Sequence, residues 1–248
     1  MIEDFKKRRT IRKYTQQEVS DALLNELLGA AAHASTTGNM QLYSVVVTRD
    51  QAKKNALAPA HFNQPTFTGA PVVLTFCADN NRFNKWCEQR KAVPGYNNVL
   101  SFSTAAIDTL LLAQAFATLA EEAGLGICFL GTTTYNAPQI AQVLGLPKYV
   151  VPITTITVGY PAEDPEVQDR IPTEGFIHHE TYKDYTPADI DRLYTYKENL
   201  PVNQEFVRVN NKETLAQIFT DIRYTKKDGD LFSDIFQDFV ADQYEIND

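Results

Sequence analysis

Cysteine is scarce in this chain and poorly spaced for its specialised uses. Cys77, Cys87 and Cys128 form no C-x-x-C pair, and Cys77 and Cys128 stand in apolar, strand-like runs. They are read as reduced packing residues of an intracellular protein, not as a disulfide framework. Histidine is nearly as scarce. Of the four present, His178-His179-Glu180 is the one metal-like cluster, but adjacent residues project in different directions from a helix or a strand, whereas metal sites draw several convergent ligands. Positive charge is in deficit: a net charge of −8 argues against a general binder of nucleic acid or anionic membrane. No apolar signal region opens the chain, so the expected compartment is the cytoplasm. Several motifs are missing too. No GxGxxG follows a strand, no P-loop occurs, and GxSxG and HExxH are absent. No nucleophile stands beside a base. A chain with a prepared site but few acid–base candidates implies that a cofactor carries the chemistry.

What is present is a core. At 248 residues, 44% hydrophobic and 22% charged, the chain can bury one generous apolar interior of a soluble globular protein. No repeat, low-complexity tract or linker divides it, so a single domain over 1–248 is expected. Its centre is residues 100–134. Between Ser101 and Ala123 apolar residues cover nearly the whole circumference of a helix, which predicts burial by neighbours on every side. Asp108, Gln114, Glu121 and Glu122 interrupt the run, so it falls short of a membrane span. Gly124 and Gly126 end the helix, Ile127 to Leu130 reads as a buried strand, and Gly131-Thr132-Thr133-Thr134 follows as a loop whose small residues let a ligand approach backbone N–H groups.

The remaining elements alternate. Leu42–Thr48, Pro71–Ala78 and Val150–Val158 read as strands; Asp50–His61 and Asp79–Ala92 read as helices, and Asn136 is placed as a helix cap. Thr15-Gln16-Gln17-Glu18 matches a capping box ahead of the apolar set from Val19 to Ala31. Just before it, Lys6 to Lys13 puts six cations in eight residues. Such a run is either a solvated face or, held against folded structure as here, a dock for an anion; a basic arm for nucleic acid is opposed by the acidic remainder. Thr186-Pro187 opens another helix. Beyond it, Phe219, Phe232, Phe236 and Phe239 form an aromatic stripe that either covers its own core or packs on a partner subunit. Arg223, Lys226 and Lys227 read as a solvated helix end or as a contact for a nucleotide phosphate.

Three stretches in order, Arg8-Arg9-Thr10-Ile11-Arg12-Lys13-Tyr14-Thr15, Ser35 to Gln41, and Gly124 through Gly131, resemble the FMN-dependent nitroreductase superfamily. Phe76-Cys77-Ala78-Asp79-Asn80-Asn81-Arg82 and Val158-Gly159-Tyr160-Pro161-Ala162 are similar to its oxygen-insensitive NADPH nitroreductases and NADPH–flavin oxidoreductases. The likeness spans about Phe5 to Tyr182 and fades beyond. It implies an α+β fold with a central mixed sheet flanked by helices around a buried central helix, in an obligate homodimer with two FMN sites at the interface. It further implies a C-terminal helical excursion over about 186–248 that could rest on the partner.

By the same resemblance, Arg8, Arg9, Thr10, Ile11 and Arg12 are the N-terminal flavin-binding segment, Thr36 contributes from the other subunit, and Gln64 meets the pyrimidine edge of the ring. Phe129, Leu130, Gly131 and Thr132 lie along the flavin with a backbone N–H towards N5, and Gln168 and Arg170 form a second phosphate-gripping segment. Two residues depart from the pattern. Gln168 stands where a lysine is usual, and Thr132 replaces a glycine, which would narrow the substrate side. The activity implied is a ping-pong transfer of electrons from NADPH or NADH through flavin N5 to nitroaromatic, quinone or flavin acceptors, with no catalytic side chain and no metal. The departures also admit a flavin-storage or sensor protein with little turnover, and a different flavin reaction on the same fold stays open.

Overall fold

The computed structural model describes residues 2–246. Four strands form one sheet in the order β1-β2-β4-β3, with β1 Tyr43–Thr48, β2 Val72–Asp79, β3 Gly126–Leu130 and β4 Val150–Gly159. Each lies within a residue or two of the β-branched apolar run that predicts it. All three strand pairings are antiparallel. The mixed sheet expected from the resemblance is therefore corrected, among the described residues, to an antiparallel one: β2 and β3 run the same way, but β4 lies between them. β2 is buried at every position, as a central strand covered on both faces should be.

The covering on one face comes from two helices, α2 (Asp21–Ala31) and α6 (Val99–Glu122). Leu24 and Leu27 of α2 and Leu112, Ala113, Phe116, Ala117 and Ala120 of α6 join Leu74, Phe76, Ile127, Ile156 and Val158 of the sheet in one apolar cluster. A fully buried side chain such as Phe116 contributes ~1.5–3 kcal/mol. The expectation that α6 is buried all round fails within one chain. Val99, Leu100, Ile107, Leu110 and Leu111 are exposed, so one face of the helix is covered and another is bare. By length and mean hydropathy (24 residues, 1.5) α6 could cross a membrane, despite its polar interruptions. Its contacts with the sheet and α2 make it instead a core helix with an uncovered side. Asp108, expected as a mere interruption, is buried.

Two caps are also corrected. α2 begins at Asp21, with the Ser20 hydroxyl accepting the Leu23 N–H. Thr15 is not its cap: the helix starts beyond its reach, its hydroxyl accepts the Gln17 N–H at 3.3 Å, and its own N–H donates to the Tyr160 carbonyl at 2.8 Å. Asn136 does precede α7 (Ala137–Leu144), but its side chain makes no cap. The shorter helices of the region are α1 (Ile2–Lys6), α3 (Gln51–Leu57, capped by Asp50), α4 (Pro65–Thr68) and α5 (Asn81–Gln89).

The chain divides into two compact units, residues 1–166 with 232–248, and residues 167–231. The second holds α8 (Pro187–Glu198), α9 (Pro201–Val209) and α10 (Leu215–Ile218). A reciprocal box of Thr186 and Asp189 caps α8, and Leu193 packs so close to Gly175 that a β-carbon there would meet it at 2.9 Å. α11 (Lys226–Tyr244) begins in this unit, and from Phe232 onward its residues belong to the first. The predicted excursion over 186–248 is thus divided. The aromatic stripe is divided with it. Phe236 and Phe239 pack around Val151, Val240 and Tyr244, and Phe232 stacks on Tyr135 at 4.7 Å. Those three cover their own core. Phe219, in the second unit, lies 6.2 Å from the Tyr224 ring.

Candidate functional site

The basic segment is fixed to the sheet residue by residue. Ile11 N–H donates to the Ile127 carbonyl of β3 at 3.0 Å, and Ala162 N–H to the Lys13 carbonyl at 2.9 Å. Glu163 Oε1 accepts the N–H groups of Arg12 at 2.6 Å and Lys13 at 3.1 Å. Tyr14, its hydroxyl 2.8 Å from the Ile11 carbonyl and 2.7 Å from Thr157 Oγ1, is buried enough to hold its ionisation well above the usual phenol range. Two glycines make this approach possible. A β-carbon on Gly126 would sit 2.7 Å from Ile11, and one on Gly159 would sit 2.8 Å from Tyr14. The segment is a docked strap, not a free arm.

Its cations are not equivalent. Arg8 Nε donates to both Glu121 oxygens at 3.0 Å, and Arg9 pairs with Asp164 at 3.0 Å. Among the described residues no carboxylate pairs with Arg12, whose charge reaches Cys128 of β3, opposing the rise in thiol pKa that burial causes. A cleft of about 500 Å³ opens over the start of β3. There the carboxylates of Glu121, Glu122, Glu163 and Asp164 outnumber the cations of Lys7, Arg8 and Arg9, so it has no excess positive charge for a phosphate. Among the described residues Arg12 is the arginine of the strap without an ion pair, and Arg9 Nε is buried without a hydrogen-bond partner.

The far end of β3 carries the second part of the site. Phe129 is half-buried, Leu130 buried and Gly131 exposed. A side chain at Gly131 would meet nothing within 4 Å. Among the described residues the amides of Gly131 and Thr132 find no hydrogen-bond acceptor. Thr132 does not project as a simple obstruction: its hydroxyl is turned inward, 2.9 Å from His61 Nδ1. That contact brings the Gln64 turn to the strand end, since His61 lies three residues before Gln64.

Other predicted residues stand elsewhere. Thr36 precedes a 3-10 turn, Thr37–Asn39, in a loop held by the buried Asp108, whose carboxylate accepts the Thr37 N–H at 2.9 Å and the Leu42 N–H at 3.3 Å. No hydrogen bond or ion pair joins Thr36 to the strap or strand end among the described residues. Thr10 is half-buried within the strap. Gln168 and Arg170 belong to the second unit, where Arg170 donates to the Asp169 carbonyl at 2.8 Å. Of the late cations, Arg223 lies 4.6 Å over the Phe206 ring and Lys226 pairs with Asp230, which favours a solvated helix end over a nucleotide contact. Sequence reading missed His61, Asn136, Asp108 and Glu163. All four act across more than 60 residues, and no local pattern shows these roles, though it marks Asn136 as a cap and Asp108 as an interruption.

The donor set suits a flavin nucleotide. It offers one uncompensated guanidinium for phosphate, free amides for a heteroaromatic edge, and the half-buried Phe129 as an apolar surface beside them. Comparison with known proteins agrees. The family model described as Nitroreductase family matches residues 5–160, and the chain belongs to that family. Oxygen-insensitive NADPH nitroreductase of Salmonella typhimurium is 31% identical over 192 residues, 77% of each chain. A crystal structure from Bacteroides fragilis, named only as a candidate oxidoreductase, is 60% identical, covers 99% of this chain and 100% of its own, and superposes with a TM-score of 0.97. NADPH:FMN oxidoreductase of Vibrio harveyi, solved with NAD+, is 26% identical over 88% of this chain and 94% of its own, with a TM-score of 0.75.

Proposed function

We propose that this protein is an FMN-dependent NAD(P)H oxidoreductase that reduces nitroaromatic, quinone or free flavin acceptors in the cytoplasm, by a ping-pong cycle in which nicotinamide and acceptor use one pocket in turn. FMN, when bound, supplies the hydride-accepting and electron-donating chemistry. The observation that carries the reading is the pairing of an uncompensated Arg12 with unoccupied amides at the end of β3, on a chain of the nitroreductase family.

Arg12 holds the phosphate by a charge-assisted contact, and the Gly131 and Thr132 amides orient the ring edge at N5. Phe129 excludes water from one face, with Leu130 anchoring the strand end in the core behind it, and Gln64 offers its amide to the pyrimidine edge. Arg8, Arg9, Thr10 and Ile11 shape the strap that carries Arg12. Thr36 completes the site from the partner subunit of a homodimer, for which the exposed apolar face of α6 supplies the surface. Residues 167–231 are taken as an excursion of the same domain. The storage reading is not favoured, because the Thr132 side chain is turned aside by His61 and leaves the strand end open.

Loss of a contact to a charged group costs ~1.5–3 kcal/mol. Arg12→Ala is therefore expected to weaken FMN binding about tenfold or more, measured by fluorescence titration of the apoprotein. Arg8→Ala, removing a cation already neutralised by Glu121, should change it far less. Equal and small effects of both would refute the role given to Arg12.

A further inference from the structure

His61 is fully buried, and no chemistry so far has used it. Burial pushes its pKa down to about 4, so the ring is neutral at neutral pH, with one N–H and one bare nitrogen. Nδ1 lies 2.9 Å from Thr132 Oγ1, while Nε2 is buried with no partner. A buried donor without an acceptor is rarer and more costly than an acceptor without a donor. The proton is accordingly assigned to Nδ1, which donates to Thr132 and fixes that side chain.

The same ring governs the other side of the site. It stacks on Phe67 at 4.3 Å with 25° between planes, and the His61 carbonyl accepts the Gln64 N–H at 3.2 Å. Between them Phe62 and Asn63 both hold left-handed backbone, at φ 53° and 52°. Consecutive non-glycine residues persist there only when their surroundings over-determine them. The surroundings are supplied by the loop after β3: Thr132 grips His61, and Asn136 Nδ2 donates to the Ala60 carbonyl at 2.9 Å.

We propose that His61 is a positioning residue of the flavin site, locking the Gln64 turn to the Thr132 loop so that both edges of the ring's pocket are held as one body. The inference rests on the reading above that Gln64 and the Thr132 amide border FMN. His61 itself touches neither phosphate nor reacting atom. It acts through Thr132, in the position where the family's glycine would leave the backbone free.

Three single variants and one double variant test this by FMN titration and by the midpoint potential of the bound flavin. His61→Phe keeps the stack on Phe67 and removes the hydrogen bond; Thr132→Val keeps the shape and removes the hydroxyl. Either should weaken FMN about three- to tenfold, the worth of one neutral hydrogen bond. Each should also make the potential more positive, because a loosened amide favours oxidised N5 less. His61→Asn places a polar atom where Nδ1 lies and should restore binding to within about twofold of the native protein. His61→Phe should add little once Thr132→Val has been made, since a positioning residue has no effect without the group it acts through. Native affinity and potential in both His61→Phe and Thr132→Val would overturn the proposal, as would strictly additive effects of the two. Should His61→Phe fail to fold, Thr132→Val and His61→Asn decide the matter alone. A native protein that takes up no FMN would sink the functional reading itself, and this inference with it.

Discussion

At the scale of single residues, two buried polar groups fix loops that the proposed site uses, and neither lies in a recognisable motif. Asp108 spends both carboxylate oxygens on backbone N–H groups of the Thr36 loop, and His61 spends Nδ1 on Thr132. His61 also links folding to pH. Its folded pKa of about 4 lies below the ordinary 6.5, so the unfolded chain takes up the proton first. Its contribution is whole above about pH 6.5, declines as pH falls, and is gone below about pH 4, an amount on the order of 3 kcal/mol. Urea unfolding at pH 7 and pH 4.5 should therefore show a steeper loss for the native protein than for His61→Phe. Parallel losses in the two proteins would contradict the burial of a neutral imidazole.

At the scale of elements, β3 and the strap beside it form the proposed cofactor-holding unit, and the glycine that lets them touch is its point of weakness. Gly126→Ala puts a β-carbon 2.7 Å from Ile11. Overpacking of this kind costs ~1–3 kcal/mol, and relief requires Ile11, with Arg12 behind it, to move off the strand. Reduced stability together with weaker FMN binding is the expected result; a variant that loses stability but binds FMN normally would show that Arg12 is placed by something else. The elements also show what can be read from sequence. All four strands were legible because β-branched apolar runs have few other fates. The capping box at Thr15 was misplaced because Ser20 caps the helix instead, and the Asn136 cap because its side chain is spent on the distant Ala60 carbonyl, which local pattern cannot see. Arg12 and the 129–132 loop were legible through the ordered family motifs. His61 was not, since its role exists only after the fold brings residues 61 and 132 together.

At the scale of the whole molecule, the protein has an apolar helix that its own chain covers on one side only. Val99, Leu100, Ile107, Leu110 and Leu111 are exposed along α6, a contiguous set of the kind that marks an interface. The all-round apolar pattern of the sequence makes sense if a second copy supplies the missing neighbour. Ile107→Glu, placed on that bare face away from the core cluster, should convert a dimer to monomer in sedimentation velocity and lower FMN retention, because Thr36 would no longer reach the opposite site. Should Ile107→Glu sediment as the native protein does, this face is not the interface. The tail gives the converse expectation. Phe236 and Phe239 pack on their own unit, so truncation after residue 210 should destabilise the fold itself.

The most direct test of the central claim is the visible spectrum of the purified, FMN-loaded protein, followed anaerobically as NADPH and then NADH is added and finally a quinone or nitroaromatic. Bleaching by a reduced nicotinamide, with the colour restored by the acceptor, is the predicted result. A bound flavin that neither nucleotide bleaches would contradict the oxidoreductase account and favour a protein that only holds FMN.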